Sequence, residues 1–339
     1  MKSLLDHAAT LMVTACAAVL ISHGAFAAQW NMPTPYPAGS FHTQNIQQFA
    51  DDVNAATDGA VSITVHPAGS LVKHAEIKNA VRSGQVEIGE FLLSRLSNEN
   101  ALFEADALPF LADSYDESRK LWKAQRSFVS EILAGQRLTV LYAVPWPPQG
   151  IYTSNAVSTI ADLSGVRFRT YNAATERLAQ LAGAVPTQIE VPDIPQAFTT
   201  GRVEAMITSS TTGVNSKAWD FLGYYYDTRA FLPKNVIVVN SRAFQSLTEE
   251  QRQAVLDAAA RAEERGWELS QEETSVQTRT LGENGITVSD PSPEMQDALD
   301  KIGAQMADEW VERAGADGEA LLEAFRKMLI AQNDSSASE

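Results

Sequence analysis

The sequence predicts an α/β protein of two lobes braced by long C-terminal helices. Three observations predict it. Strand-like and helix-like stretches alternate from residue 29 to residue 240. A proline-rich break, Pro145-Trp146-Pro147-Pro148-Gln149-Gly150, divides that alternation into two runs. The final third then turns helical, with apolar residues recurring at spacings of four and three. At 339 residues the chain is long enough to divide its core between two domains.

The elements follow in order. Residues 29–32 read as a first strand, and the helix after it carries Ile46, Phe49, Val53 and Ala56 on one face. Residues 61–66 alternate apolar and polar side chains as a second strand. A helix at 76–83 leads to a third strand at 87–93. Beyond residues 106–110 a helix spans about 116–133, and the strand 138–144 runs into the proline-rich break. Prolines and a glycine interrupt strand and helix alike, so 145–150 is a turn or crossover between units. Short strands at 166–170 and 203–208 flank helices at 173–182 and 193–200, and a valine-rich strand occupies 235–240. Thr248 opens a long helix with Gln251 placed to complete a capping box. Ser292 and Pro293 form a cap and first-turn pair. The stripe Met295, Leu299, Ile302, Met306 and Trp310 faces the core, and a last amphipathic helix covers 319–330. The tail 333–339 is expected to be disordered.

The first 27 residues read as an export signal. A weakly positive start precedes an apolar run over 8–21, and Ala25-Phe26-Ala27 is the small-x-small pattern of a cleavage site. The run is too short for a permanent membrane span. Val13-Thr14-Ala15-Cys16 offers a rival lipoprotein box, with a lipid anchor at Cys16. Cys16 is the only cysteine, so the mature chain from Ala28 has no disulfide, no thiolate chemistry and no usual ligand set for structural zinc. A periplasmic location is expected.

The formal net charge is −16, from 42 acidic and 26 basic residues. Nucleic acid is an improbable partner because such binding needs a basic face. An anionic membrane surface is disfavoured for the same reason. A small anionic ligand is not, because one local arginine outweighs a distant surface field. Three histidines remain in the mature chain, His42, His66 and His74, and none has the partner spacing of a helical metal site. No nucleophile elbow, phosphate loop or dinucleotide fingerprint is present. The residues therefore point to binding rather than catalysis, with neither metal nor cofactor expected.

Several stretches resemble one family. They are Gly69-Ser70-Leu71, then Ala80-Val81-Arg82-Ser83-Gly84-Gln85-Val86-Glu87-Ile88-Gly89, and Ala107-Leu108-Pro109-Phe110-Leu111. The most specific is Ala161-Asp162-Leu163-Ser164-Gly165-Val166-Arg167-Phe168-Arg169, followed by Leu181-Ala182-Gly183-Ala184-Val185-Pro186 and by Phe198-Thr199-Thr200-Gly201-Arg202-Val203-Glu204-Ala205. In this order, over nearly the whole mature chain, they resemble the solute-binding subunits of tripartite ATP-independent periplasmic (TRAP) transporters, of the dicarboxylate-binding type.

The resemblance implies a two-lobed periplasmic-binding-protein-like clamp that closes on an organic acid and delivers it to membrane subunits driven by an ion gradient. Lobe 1 is expected at 28–150 plus about 236–285. Lobe 2, with bracing helices, is expected at 151–235 plus about 286–332. A monomer is expected. The second basic residue after the motif glycine, Arg169, is implied as the carboxylate anchor. A guanidinium at a strand end can make two parallel charge-assisted hydrogen bonds to a carboxylate. The alternative for Arg169 is a salt bridge to Glu190 or Asp193, whereas Arg167 reads as a surface residue. The sequence departs from many relatives at two positions. Gly150 stands where a second arginine is common, and Thr208 where an asparagine is common. Fewer cations imply a less charged ligand, a monocarboxylate, with Thr208 and Ser209 offering neutral hydrogen bonds; a plain polar loop is the other reading. Glu90, near a strand end, is a candidate for binding an ammonium group, which would make this a receptor for an amine or amino acid; it could also pair with Arg169. Phe41, Phe91, Trp146 and Trp219 are candidate aromatic walls, with Tyr152 beside them, while Trp122, Trp267 and Trp310 are assigned to packing. A further alternative is a ligand-sensing subunit of a receptor.

Overall fold

The computed structural model describes residues 27–336. The signal segment, its cleavage pattern and Cys16 lie outside the described residues, save Ala27.

The chain opens with β1 (Ala28–Pro33), whose Trp30 and Met32 are buried, and α1 (Phe41–Ala56), which buries Ile46, Phe49 and Val53. β2 (Val61–His66) pairs in parallel with β1. α2 (His74–Ser83) ends at Gly84, whose φ of 76° is the left-handed conformation that suits a glycine at a helix end. β3 (Ile88–Leu92) leads through 3₁₀ turns at Leu93–Leu96 and Ala101–Ala107 to α3 (Tyr115–Gly135), which Ser114 caps by accepting from Glu117 N. Then come β4 (Leu138–Pro145) and β5 (Gln149–Thr153). The prolines end one strand and start another. β6 (Arg167–Thr170), α4 (Ala173–Leu181), β7 (Val185–Gln188), α5 (Ile194–Thr199), β8 (Ala205–Ser209), α6 (Ser210–Asn215) and β9 (Tyr224–Tyr226) complete the second run. β10 (Lys234–Asn240), α7 (Ser241–Gln245), α8 (Glu249–Glu283), β11 (Thr287–Ser289) and α9 (Pro293–Ser336) follow.

Sheet membership shows how the lobes share the chain. The first lobe holds the β1–β2 pair and a sheet of order β3-β10-β4, with β10 antiparallel to both neighbours. The second holds a six-stranded sheet of order β11-β9-β5-β8-β6-β7. Among the described residues the chain passes between lobes from β4 to β5, from β9 to β10, and along α8 into β11. The first two passages are bonded side by side, Trp146 N donating to Pro233 O at 2.8 Å and Gln149 N to Phe231 O at 3.0 Å.

The long helices brace both bodies. Thr248 and Gln251 form the expected capping box at the start of α8. Val255, Ala258, Ala259 and Ala262 of α8 pack into the first lobe, while Leu281 reaches a core of the second. Gly266 lets α8 lie directly on β4, because a Cβ there would stand 2.4 Å from a Val144 methyl. The stripe Met295, Leu299, Ile302 and Met306 of α9 packs into the second lobe, and Trp310, Leu321 and Phe325 pack against Leu121 and Ala124 of α3. Gly315 breaks α9 with φ 57° and ψ −144°, a conformation that resists side chains. α9 runs on to Ser336, four residues into the stretch expected to be disordered; residues 337–339 lie outside the described residues. Trp122, Trp267 and Trp310 are buried, as expected of packing residues.

Candidate functional site

Between the lobes lies a narrow cleft of about 40 Å³. From the first lobe Tyr36, His74, Leu92 and Arg95 face it, and Trp146 and Pro233 enter from the two crossovers. From the second lobe come Gln149, Arg169, Tyr171, Glu190, Thr208 and Ser209. Leu92, Gln149, Thr208 and Ser209 sit at strand ends, His74 begins α2, and Arg95 lies in the 3₁₀ turn that follows β3.

Arg169 follows the buried Phe168 on β6 and is itself only 1% exposed. Its Nε donates to Ile189 O at 3.0 Å, and its Cζ stands 4.7 Å from the centre of the Tyr171 ring. Arg169 and Tyr171 are two residues apart, which places them on one side of the strand. Among the described residues no protein group accepts a hydrogen bond from the two terminal guanidinium nitrogens, and no carboxylate pairs with them. Burial lowers the Arg169 pKa to about 10, with the neighbouring Tyr171 opposing that shift, so the group stays charged at neutral pH.

The other charges at the cleft cancel. Glu190, the carboxylate considered as a partner for Arg169, instead crosses to the first lobe. It pairs with Arg95 Nη2 at 2.9 Å and accepts from His74 Nδ1 at 3.4 Å. Leu92 N donates to His74 Nε2 at 3.2 Å, which places the histidine proton on Nδ1. Burial lowers the His74 pKa below its ordinary value, so the ring is neutral above about pH 6.5. Burial acts to raise the Glu190 pKa, but the His74 hydrogen bond and the Arg95 charge outweigh it and hold the group ionised. Arg95 Nη1 also donates to Tyr171 O at 2.9 Å, and Asn172 Nδ2 donates to Ser94 Oγ at 2.8 Å. Together these contacts latch the lobes shut.

The latch predicts a measurable but modest effect. Glu190 is 38% exposed, so the pair is screened and worth roughly 0.2–1 kcal/mol. Glu190→Gln is expected to raise the ligand Kd about two- to fivefold, by calorimetry, and to flatten its dependence on salt. No change in either would mean that closure does not rely on this pair.

The sequence-derived site residues divide. Arg169, Trp146, Thr208 and Ser209 line the cleft. Thr208 and Ser209 end β8, and the stretch after them, read as polar loop or hydroxyl supply, is the short helix α6 that Ser209 caps by accepting from Thr212 N at 3.1 Å. Phe41 stands behind the cleft, packed edge-on to Trp146 with ring centres 5.6 Å apart. Phe91 points the other way along β3, into the core with Trp122 and Trp267. Trp219 packs half-buried on a remote core of the second lobe, and Tyr152 is buried against Tyr225 in that same core. Gly150 has no room for an arginine, or for any side chain, because a Cβ there would meet the Tyr225 ring at 2.3 Å.

Glu90 is not at the cleft and does not pair with Arg169. It is wholly buried inside the first lobe, where Thr34 Oγ1 donates to it at 2.5 Å, Asn235 Nδ2 at 2.9 Å, and His42 Nδ1 lies 3.3 Å away. A carboxylate so fully satisfied has no need of a ligand ammonium, and the amine reading loses its anchor. Sequence reasoning passed over Tyr36, His74, Arg95, Gln149 and Tyr171. The two-residue spacing of Arg169 and Tyr171 was a usable signal; for the first-lobe residues none was visible, because distant segments converge there.

A two-lobed α/β clamp with an unpaired buried cation in its cleft defines a solute receptor. Residues 34–313 match the family of bacterial extracellular solute-binding proteins, family 7, and the chain belongs to that family. It is similar to the Bordetella pertussis extracytoplasmic solute receptor DctP7, whose crystal structure binds pyroglutamic acid. The two are 50% identical, with 88% of this chain and all of that chain covered and a TM-score of 0.87. A TRAP solute-binding protein of a marine metagenome, specific for pyroglutamate, is 40% identical over 88% of this chain and 98% of its own, with a TM-score of 0.87. The sialic acid-binding periplasmic protein SiaP of Vibrio cholerae is 20% identical over 76% of this chain and 81% of its own. The chain is thus a TRAP solute-binding protein, a receptor that captures a small solute for TRAP membrane subunits, as the sequence motifs implied. No helix among the described residues is long and apolar enough to cross a membrane.

Proposed function

We propose that the solute is a small organic acid with a single carboxylate, pyroglutamate or a close analogue, anchored by Arg169. The observation that carries this reading is the charge count of the cleft. Arg95 is balanced by Glu190 and His74 is neutral, so Arg169 is left as one buried positive charge with two donor nitrogens to spare. An unpaired buried charge is costly, and one carboxylate relieves that cost with two parallel charge-assisted hydrogen bonds. A dicarboxylate would bring a second anion with no cation to meet it. The similarity to the receptors that bind pyroglutamate supports the same size and charge.

The receptor would act without chemistry on its ligand. The open clamp admits the acid, Arg169 takes the carboxylate, and hinge closure brings Arg95 and His74 to Glu190. In this reading the signal segment is cleaved after Ala27, and the mature chain works in the periplasm.

A thermal-shift screen of the mature chain tests this. A ligand at a hundred times its Kd adds about 2.7 kcal/mol of stability, enough to move the midpoint visibly. Small monocarboxylates, pyroglutamate among them, are expected to stabilise the protein more than dicarboxylates of similar size. Hits confined to amines, or to dicarboxylates, would overturn the reading.

A further inference from the structure

The two phenol hydroxyls of this cleft, on Tyr36 and Tyr171, are not free to choose their hydrogen-bonding roles. Trp146 Nε1 can only donate, and it donates to Asn235 Oδ1 at 3.0 Å. That contact fixes which way the Asn235 amide faces. Asn235 Nδ2 therefore points to Glu90, 2.9 Å away. Burial acts to raise the Glu90 pKa, but His42, Thr34 and Asn235 together outweigh it and keep the carboxylate ionised, an acceptor only. The Tyr36 hydroxyl lies 3.0 Å from the same Asn235 Oδ1, an atom that only accepts, so Tyr36 must donate to it.

A separate chain in the second lobe has the same outcome. Gln149 Nε2 donates to Pro147 O at 2.8 Å, which turns Gln149 Oε1 toward Tyr171, whose hydroxyl donates to it at 2.8 Å. Burial raises both phenols above their ordinary pKa, so both keep their protons. Each hydroxyl has one hydrogen, and in each it is already committed. What Tyr36 and Tyr171 have left for the cleft is lone pairs.

We propose that the cleft selects a carboxylic acid bearing an N–H or O–H donor beside its acid group, and that Tyr36 is the residue that reads this donor. The inference rests on the monocarboxylate reading given above and sharpens it. Arg169 supplies donors from the second lobe, while Tyr36 supplies an acceptor from the first. A ligand that satisfies both spans the cleft and ties the lobes together. Tyr171 is the lesser candidate because its ring is already stacked on Arg169. An ether or ester oxygen in place of the donor would set lone pair against lone pair. Tyr36 could not rotate to relieve this without abandoning Asn235 Oδ1, inside a core it shares with Trp146. Glu90 and Asn235 are positioning residues in this scheme, acting on the ligand only through Tyr36 and Trp146.

Titration calorimetry with a matched pair tests the proposal: pyroglutamate, with its ring N–H, against the lactone acid in which oxygen replaces that N–H. Wild-type protein is expected to bind the lactam at least about tenfold more tightly, the usual consequence of leaving a buried polar group unmatched. Tyr36→Phe is expected to bring the two affinities to within about twofold while its thermal midpoint stays that of a folded protein. Equal wild-type affinities would overturn the proposal and leave the carboxylate reading intact, as would a preference that survives in Tyr36→Phe. Binding of neither acid, nor of any other small monocarboxylate, would remove the monocarboxylate reading and this inference together. The wild-type comparison stands even if the variant fails to fold.

Discussion

Arg169→Met is expected to abolish acid binding while leaving the ligand-free protein folded and no less stable. Among the described residues the guanidinium is the one cleft charge without a counter-ion, and the loss of a charge-assisted, two-pronged contact costs about 2–5 kcal/mol. That corresponds to a Kd raised at least about thirtyfold, and more than a thousandfold at the upper end. The ligand-free midpoint separates loss of function from loss of fold. An unpaired buried cation is a burden that methionine, of similar length, removes. The Nε contact to Ile189 O and the seat over the Tyr171 ring are forfeited in exchange. Arg169→Lys keeps the charge but not the planar fork, and it is expected to fall between wild type and methionine. Unchanged affinity in Arg169→Met would assign the carboxylate to another residue.

The second large effect lies at the junction of the lobes and concerns stability. Asp106 and Lys234 are both buried, with Lys234 N donating to Asp106 Oδ2 at 2.8 Å and Lys234 Nζ 3.9 Å from the same oxygen. Lys234 begins β10 directly after Pro233, the cleft residue to which Trp146 is bonded. Removing one member strands the other as a buried lone charge, which typically costs about 3–5 kcal/mol. Asp106→Ala should lose stability on that scale in urea unfolding at pH 7, and Asp106→Asn less, because the amide oxygen can still accept from Lys234 N. The double change Asp106→Leu with Lys234→Met should recover most of the loss. Failure of the double change to recover stability would show that the cost is packing and not charge.

The pH dependence of this pair has a definite sign. Burial raises Asp106 to about 6 from its ordinary value, even with the Lys234 ammonium opposing it. A pKa raised on folding contributes stability that is full below the unfolded value near 4 and is lost as pH rises through about 6. Burial lowers Lys234 to about 8, with Asp106 opposing. That contribution is full above the unfolded value near 10.5 and is lost as pH falls through about 8. Between about pH 6 and 8 both groups are charged and both weigh against folding. In Asp106→Ala the acidic limb should vanish while stability still climbs as pH rises from 8 toward 10.

Local rules carried the fold a long way. The capping pair of Thr248 and Gln251, the apolar stripe of α9 and the proline-rich break expected at 145–150 all depend on neighbours in the chain; the first two are present as read, and the break falls at 146–148, between β4 and β5. The short strands β7, β9 and β11 were not legible, since three or four residues show no period. α6 was missed because Ser and Thr favour caps and turns over helices, and only its position after β8 makes it helical.

At the site the same division holds. Arg169 was legible through the motif and Trp146 through its prolines. Glu90 was misplaced because a strand-end position does not reveal which way a side chain turns. All five residues of β3 are buried, so no inside–outside alternation separates the cleft from the core. Its partners Thr34, His42 and Asn235 lie just past β1, on α1 and on β10, out of reach of any local pattern. The latch residues Arg95 and Glu190 meet across the cleft from opposite lobes and are far apart in the chain, so no local pattern joins them.

The most direct measurement is a calorimetric titration of the mature chain, stripped of bound solute by unfolding and refolding, with pyroglutamate at neutral pH. Arg169 as the unbalanced charge among the described residues of the cleft predicts saturable binding of one acid per chain. It also predicts that Arg169→Met gives no heat at the same concentrations. Absence of heat in wild type with pyroglutamate and with other small monocarboxylates, or equal binding by the methionine variant, would contradict that Arg169 holds a carboxylate.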